Sequence, residues 1–465
     1  MSHLSLQEFS PDRLARVTLG RWTRKPDRAL NGFAFDTRQL RAGDVFISLS
    51  CGARDGHEFI GRALEKGASA CLVEVEQPAH IPQLVVPDTV LAMAAIGFDC
   101  RRSFHGPVIG ITGSCGKTST KEMLRCLLGG DLVHATAGNW NNHIGVPMTL
   151  FGLNDRKHQF AVIEAGINQP GEMEALGRMI EADLCLLTNI GAAHLELLGS
   201  REGIAAEKSK IAEFSKSGAP LILPESALRY EAFTSIKDRC IVVSEFGVDV
   251  PEGIHGSAVY SLSDSEDGQR QQIQLSYAGT NTVYELASSS RGMAQNAALA
   301  LVSALKLGHS PSDLRTRLQV WRPGETRGHL FESGHQLVYG DHYNANPDSL
   351  VDALSAFDRV APKELARCYV LGVMNELGVQ AEALHEECGA ALQLRSGDRA
   401  IFIGPSPMVA AFGRGALAAG ANLAQIESAE TAKAVKRTVA EFQGALFLKG
   451  SRSYQLESLL TGPTK

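Results

Sequence analysis

The segment Val108-Ile109-Gly110-Ile111-Thr112-Gly113-Ser114-Cys115-Gly116-Lys117-Thr118-Ser119 constrains the fold more than any other part of the chain. A continuous apolar run ends in a glycine-rich turn, and a helical pattern starts at once over 118–128. A run that is apolar on both faces fits a parallel strand covered by helices on each side. Glycines at such a turn let backbone N–H groups curl around phosphate oxygens at a helix N-terminus. Lys117 is placed to reach terminal phosphates and the Thr118 hydroxyl to ligate Mg2+. The long form of this loop has glycine five residues before Gly116, where Ile111 stands, so the match is to the shorter TGxxGKT form. Gly113, Ser114, Cys115, Gly116, Lys117, Thr118 and Ser119 are therefore candidates for nucleotide binding.

Two more apolar runs, 160–164 and 184–189, alternate with helical patterns, the mark of a doubly covered parallel sheet. Each ends in polar residues that would share the ligand crevice beside the first loop. Glu164, at the end of one, reads equally as a Mg2+ ligand or a solvated turn residue. His194, just past the end of the other, gains interest from its place at a third strand end. From 241 to 286 two-residue alternation predicts an antiparallel section, and a helix over 294–307 closes the block. Arg322-Pro323-Gly324-Glu325-Thr326-Arg327-Gly328 is a polar, turn-rich linker. Beyond it the α/β alternation restarts, with strands predicted at 336–339, 369–372, 400–404 and 445–448. The expected fold class is α/β in three domains. Residues 1–104 form a small α/β domain, 105–322 a central phosphate-loop α/β domain, and 323–465 a Rossmann-like α/β domain.

Composition narrows the function classes. With 465 residues, 44% hydrophobic and 21% charged, the chain is an ordinary globular one. No apolar run is long enough for a transmembrane helix, and no membrane insertion is expected. Residues 1–8 lack the pattern of a signal peptide. Nine cysteines without a CxxC pair favour reduced thiols, hence a cytoplasmic location. A net charge of −6 argues against nucleic acid as a partner.

Other segments carry weaker signals. Ala137-Gly138-Asn139-Trp140-Asn141-Asn142-His143-Ile144-Gly145 gathers amides that can donate to and accept from polar ligands. Gly203 to Lys210 reads as a helix start, with Lys208 by itself indistinguishable from a surface lysine. Asp341-His342-Tyr343-Asn344-Ala345-Asn346-Pro347 follows a strand and by itself reads as a loop.

Taken together, in this order and at these spacings, these blocks resemble the ATP-dependent Mur ligase family of peptidoglycan synthesis over nearly the whole chain. The first domain adds Phe35-Asp36-Thr37-Arg38 and Asp55-Gly56-His57-Glu58-Phe59-Ile60, which resemble that family's uridine-nucleotide module. The Tyr343-Asn344-Ala345-Asn346-Pro347 block resembles the class that adds D-alanyl-D-alanine to a UDP-N-acetylmuramoyl-tripeptide. The resemblance implies amide ligation through an acyl phosphate, with ATP and two Mg2+ ions. Carried over by position, Thr118 and Glu164 would hold one ion, and His194 with a carbamylated Lys208 the other. Lys117 would neutralise phosphate charge and Asn142 would contact the reacting substrate. Asn296 matches an adenine contact. Arg327 and Asp341 match positions that close over ATP, with Asn346 beside them. Thr37 and Arg38 would face the uridine nucleotide, and Tyr343, Asn344, Lys449 and Ser451 the peptide substrates. A monomer is expected.

The chain departs from the family pattern in places. Ser114-Cys115 replaces Ser-Asn or Thr-Asn in the phosphate loop, and its thiol suggests sensitivity to alkylation. Ser290 to Asn296 lacks the histidine and first asparagine of the usual adenine block. Gly340 and Val373 each stand where an aspartate is usual. Two other readings are carried forward: a folylpolyglutamate synthetase-like ligase, against which the uridine-type blocks argue, and a noncatalytic Mur-like scaffold.

Overall fold

The computed structural model describes residues 9–51, 54–265 and 270–460. Residues 1–8, expected not to form a signal peptide, lie outside them. Three main sheets follow one another along the chain. The first runs Arg21–Trp22, Gln83–Val85, Ala70–Val73, Val45–Ile47, Phe33–Ala34, parallel except at its Arg21–Trp22 edge. The helix Thr89–Ser103 turns Ala92, Met93, Ile96 and Cys100 onto it, and Met148 and Phe151 of the next domain join the same core. Arg101 on this helix is buried and donates to Ile180 O, Glu181 O and the Asp183 carboxylate, each at 2.8 Å. Three bonds compensate a charge that would otherwise be costly to bury, and they tie the first domain to the second.

In the central sheet Val108–Thr112 is wholly buried and pairs in parallel with Phe160–Glu164 on one side and Leu184–Leu187 on the other. Glu164 aligns with Ile111, and Leu187 with Thr112. The chain leaves Val108–Thr112 for one side and returns to the other, so the crevice opens at this strand's C-terminal end. Leu221–Pro224 and Cys240–Glu245 extend the sheet in parallel. The structure corrects the antiparallel expectation for 241–286 at its start. Cys240–Glu245 is buried and parallel to both neighbours, and only Gly256–Asp264, Arg270–Tyr277 and Thr280–Ala287 form the antiparallel meander. A run apolar on both faces belongs inside a parallel sheet, whereas the alternating strands keep one face toward water.

The last sheet runs His329–Ser333, Gln336–Gly340, Ala445–Lys449, Arg367–Gly372, Arg399–Ile403, Ile426–Ala429, parallel except for the first pair. The helix Pro347–Val360 starts directly after the Tyr343-Asn344 turn. Asn346 Oδ1 accepts from Ser349 N–H at 2.9 Å and Ser349 Oγ accepts from Asn346 N–H at 3.1 Å, with Pro347 pre-set at the first helical position. Such a cap is worth about 1 kcal/mol. Here it also fixes the loop that meets the central domain.

Candidate active site

The helix Lys117–Leu127 begins from Gly116 in a left-handed conformation (φ +79°). A side chain there would collide with Asn296, whose Nδ2 lies 2.4 Å from where a Cβ would sit. Gly113 (φ +149°) is tighter still, since a Cβ would fall 1.8 Å from Thr188 Oγ1. Both glycines are required by the backbone and by close approach. The loop is held from the adjoining strand end: Asn189 Oδ1 accepts from Ser114 N–H (3.1 Å) and Cys115 N–H (2.9 Å), and Thr188 Oγ donates to Cys115 O (2.5 Å). Lys117 Nζ curls back to Gly113 O at 2.7 Å, and burial lowers its pKa. Burial likewise pushes the Cys115 thiol up, and its sulfur rests 2.7 Å from Asn189 Nδ2. Alkylation needs a thiolate, so the sensitivity expected of Cys115 is weakened by its surroundings.

Glu164 is buried and accepts from Thr118 Oγ1 at 3.1 Å and Asn141 Nδ2 at 2.8 Å. Thr118 thus meets a carboxylate with hard oxygen donors on both, a fit for Mg2+. Asn142 lines the same cavity, but its Oδ1 is used on Ile144 N–H and Gly145 N–H, leaving its Nδ2 as the group for a ligand. Lys208 sits two turns into the helix Arg201–Glu213, which begins at Arg201 rather than Gly203. The residue is 1% exposed, and its amine has no hydrogen-bond partner. Burial, reinforced by the nearby Lys117 charge, holds it well below the ordinary lysine range. Burial favours the neutral amine, the form that can add CO2. Among the described residues no group of three His, Cys, Asp or Glu side chains gathers as a metal cluster. Thr118, Glu164 and His194 line the cavity, whereas Lys208 is not among its lining residues and feels it through the nearby Lys117 charge.

The last domain closes the cavity. Its volume is about 510 Å³, and its lining runs from Ser114–Ser119, Glu164 and His194 to Arg327, Asp341, Tyr343, Asn344, Lys449 and Ser451. The Arg327 guanidinium lies 3.8 Å from the Tyr343 ring centre and donates to Thr118 Oγ1 at 3.3 Å. Lys449 is buried and paired with Asp341 at 2.5 Å. Asn346 is spent on its helix cap and Ser451 Oγ on Asn375 N–H (2.9 Å). Asn296, expected at an adenine, packs its amide against Gly116 of the loop. Thr37 and Arg38 stand outside the cavity lining. Thr37 is buried, and Arg38 pairs with Asp36 at 2.7 Å while its side chain stays 80% exposed. The Phe35 ring, beside them, approaches Trp140 of the asparagine loop at 6.2 Å.

A family model described as the Mur ligase middle domain matches residues 111–304, and one described as the Mur ligase glutamate ligase domain matches 326–452. A UDP-N-acetylmuramoyl-tripeptide–D-alanyl-D-alanine ligase of Bacillus subtilis is 31% identical over 382 residues, 81% of this chain and 80% of the relative. The chain belongs to the Mur ligase family. Among solved Mur ligases, a MurF from Acinetobacter baumannii superposes with TM-score 0.85 at 28% identity over 98% of both chains. A MurF from Thermotoga maritima in complex with ADP superposes with TM-score 0.76 at 26% identity, over 92% of this chain and 95% of that one. No helix among the described residues is long and apolar enough to cross a membrane.

In this Mur ligase three residues matter that sequence reasoning did not single out. Asn189 shapes the phosphate loop. Asp348, in the first turn of Pro347–Val360, accepts from Ala192 N–H (2.8 Å) and from Arg201 (3.1 Å), joining the last domain to the loop before His194. Glu376 stands 2.5 Å from His194 Nδ1. Their only sequence signal was membership of the Asn-Ile-Gly, Asn-Pro-Asp and Glu-Leu-Gly blocks.

Proposed function

We propose that this chain joins D-alanyl-D-alanine to UDP-N-acetylmuramoyl-tripeptide in an ATP-dependent ligation, acting as a monomer. The observation that carries the reading is a single cavity in which the phosphate loop of one domain faces Arg327, Tyr343 and Lys449 of the next. We assign 1–104 to the uridine nucleotide, 105–322 to ATP and 323–465 to the incoming dipeptide.

The tripeptide's terminal carboxylate attacks the γ-phosphate of ATP, forming an acyl phosphate and ADP. The dipeptide's amine then adds to the acyl carbon, and phosphate leaves as the amide forms. Lys117, released from Gly113 O, and Arg327 lie where phosphate charge shifts during transfer, and positioning plus charge neutralisation is most of what that step needs. Asn142 Nδ2 is available to orient the acyl group. Stacking on Tyr343 keeps Arg327 aimed at the loop, and Lys449 with Asp341 fixes the Tyr343-Asn344 turn through a further contact to Asn344 O at 3.4 Å. Bound Mg2+ would supply further charge neutralisation, held by Thr118 with Glu164 and by His194 with carbamylated Lys208. Thr37 and Arg38, next to Phe35 and its Trp140 contact, are assigned to the uridine nucleotide, so the muramyl peptide would run from there past the asparagine loop.

A phosphate-release assay tests this. Release is expected only with ATP, the UDP-tripeptide and D-alanyl-D-alanine together, and release that persists when either acceptor is omitted would refute it. Lys208→Ala separates an enzyme from a scaffold. The enzyme loses most of its activity, whereas a scaffold retains its partners.

A further inference from the structure

The block Glu376-Leu377-Gly378 carries no role in the reaction described above, yet it makes a built contact with the central domain. His194 Nδ1 stands 2.5 Å from Glu376 Oε2, in ion-pair contact but off line for a hydrogen bond, so this buried nitrogen has no other partner among the described residues, and Glu196 N–H donates to Glu376 O at 3.1 Å. His194 and Glu376 both have left-handed backbones, with φ +60° and +66°. Residues other than glycine keep that conformation only where their surroundings hold them, and such residues cluster at functional sites. Gly378 (φ +58°) lies so close that a Cβ would fall 3.1 Å from Glu196 Cα.

We propose that Glu376 is a positioning residue that holds His194 through Nδ1 and leaves Nε2 for the cation, so that this cation site is complete only when the last domain is docked. The inference rests on His194 being a cation ligand. A carboxylate on one imidazole nitrogen fixes the tautomer and ring orientation and raises the basicity of the other, and loss of such a partner typically weakens metal binding tenfold to a hundredfold. Because the carboxylate comes from another domain, docking and cation binding are linked and each favours the other.

The test is Mn2+ binding to the full chain with ADP and bicarbonate, followed by electron paramagnetic resonance. The wild type is expected to hold two ions. Glu376→Ala should weaken one site by about tenfold to a hundredfold and spare the other, while Glu376→Gln, which keeps an acceptor for Nδ1–H, should recover most of the loss. His194→Ala should lose the same site. If His194→Ala loses a site and Glu376→Ala keeps both at full affinity, the positioning role falls alone. If His194→Ala keeps both, the ligand assignment falls. A Gln variant as weak as the Ala variant would also overturn the hydrogen-bond account. Long-range 15N spectra add a readout independent of metal: His194 should be the Nδ1–H tautomer in wild type and lose that preference in Glu376→Ala. An unchanged tautomer would overturn the proposal.

Discussion

Lys208 shows how one residue can trade stability for chemistry. A buried donor without a partner costs on the order of 1–3 kcal/mol, so Lys208→Met should unfold at a higher temperature than the wild type assayed without bicarbonate, while losing ligation. The folded-state pKa of Lys208 is lowered, so below the ordinary value of 10.5 the unfolded lysine binds a proton that the folded one does not. Wild-type stability from this group therefore falls as pH falls, and the advantage of Lys208→Met should shrink as pH approaches 10.5. Thermal melts at several pH values check the sign, and an advantage growing with pH would contradict it. With 13C-bicarbonate the wild type should show a carbamate carbon that Lys208→Met lacks. Asn189 acts on the same site through two backbone amides. Asn189→Ala leaves Cys115 N–H unpaired, while Ser114 N–H keeps the Asn189 carbonyl at 3.1 Å, and ADP affinity measured by calorimetry should fall about fivefold to a hundredfold. The role of Lys208 came from the family resemblance alone, and that of Asn189 was not legible in the sequence. Lys208 looks like any helix lysine until its burial is known, and Asn189 meets Ser114 across 75 residues of chain.

At the scale of elements, the strands apolar on both faces were legible because nothing but a covered parallel strand accommodates them. Val108–Thr112, Phe160–Glu164 and Leu184–Leu187 emerge close to their expected bounds, and so the strand ends carrying the phosphate loop, Glu164 and His194 were placed correctly. Short or half-exposed strands such as Val133–Ala135, His329–Ser333 and Ile426–Ala429 give too little periodicity to be seen. Cys240–Glu245 has the same two-faced apolar pattern as the covered strands, and the antiparallel expectation came from grouping it with the alternating strands that follow. The edge strand Val133–Ala135 carries its own prediction. His134 packs against His158 at 4.9 Å and is pushed down to about 4 by burial. The unfolded histidine gains its proton near 6.5 and the folded one only near 4, so stability falls as pH drops through that window. The loss is at most about 3 kcal/mol, and less where solvent reaches the ring. Acid titration by circular dichroism should show this slope, and His134→Gln should flatten it. In the loop itself, Gly113→Ala must displace Thr188, and its failure to bind ADP is the expected outcome.

For the whole molecule, the resemblance implied that Arg327 and Asp341, in and beyond the linker 322–328, close over ATP. The structure already bridges the two domains through Arg327 to Thr118, Asp348 to Ala192 and Arg201, and Glu376 to His194. Removing one bridge should therefore loosen the resting arrangement. Small-angle scattering of Asp348→Ala without ligands should give a larger radius of gyration than wild type, and adding ADP with the UDP-tripeptide should narrow the difference. Identical profiles would contradict the linkage. The overall charge of −6 opposes two anionic substrates, so cations gathered at the cavity must set the local potential. Their loops were recognisable by family pattern, but their pairing across domains follows only from the tertiary structure.

The central claim is that a carboxylate of the UDP-tripeptide attacks ATP and is then displaced by the dipeptide amine. Labelling that carboxylate with 18O and collecting the inorganic phosphate by mass spectrometry tests it directly. One labelled oxygen per phosphate, appearing only when D-alanyl-D-alanine is present and in step with the amide product, is the predicted result. Unlabelled phosphate would contradict the account.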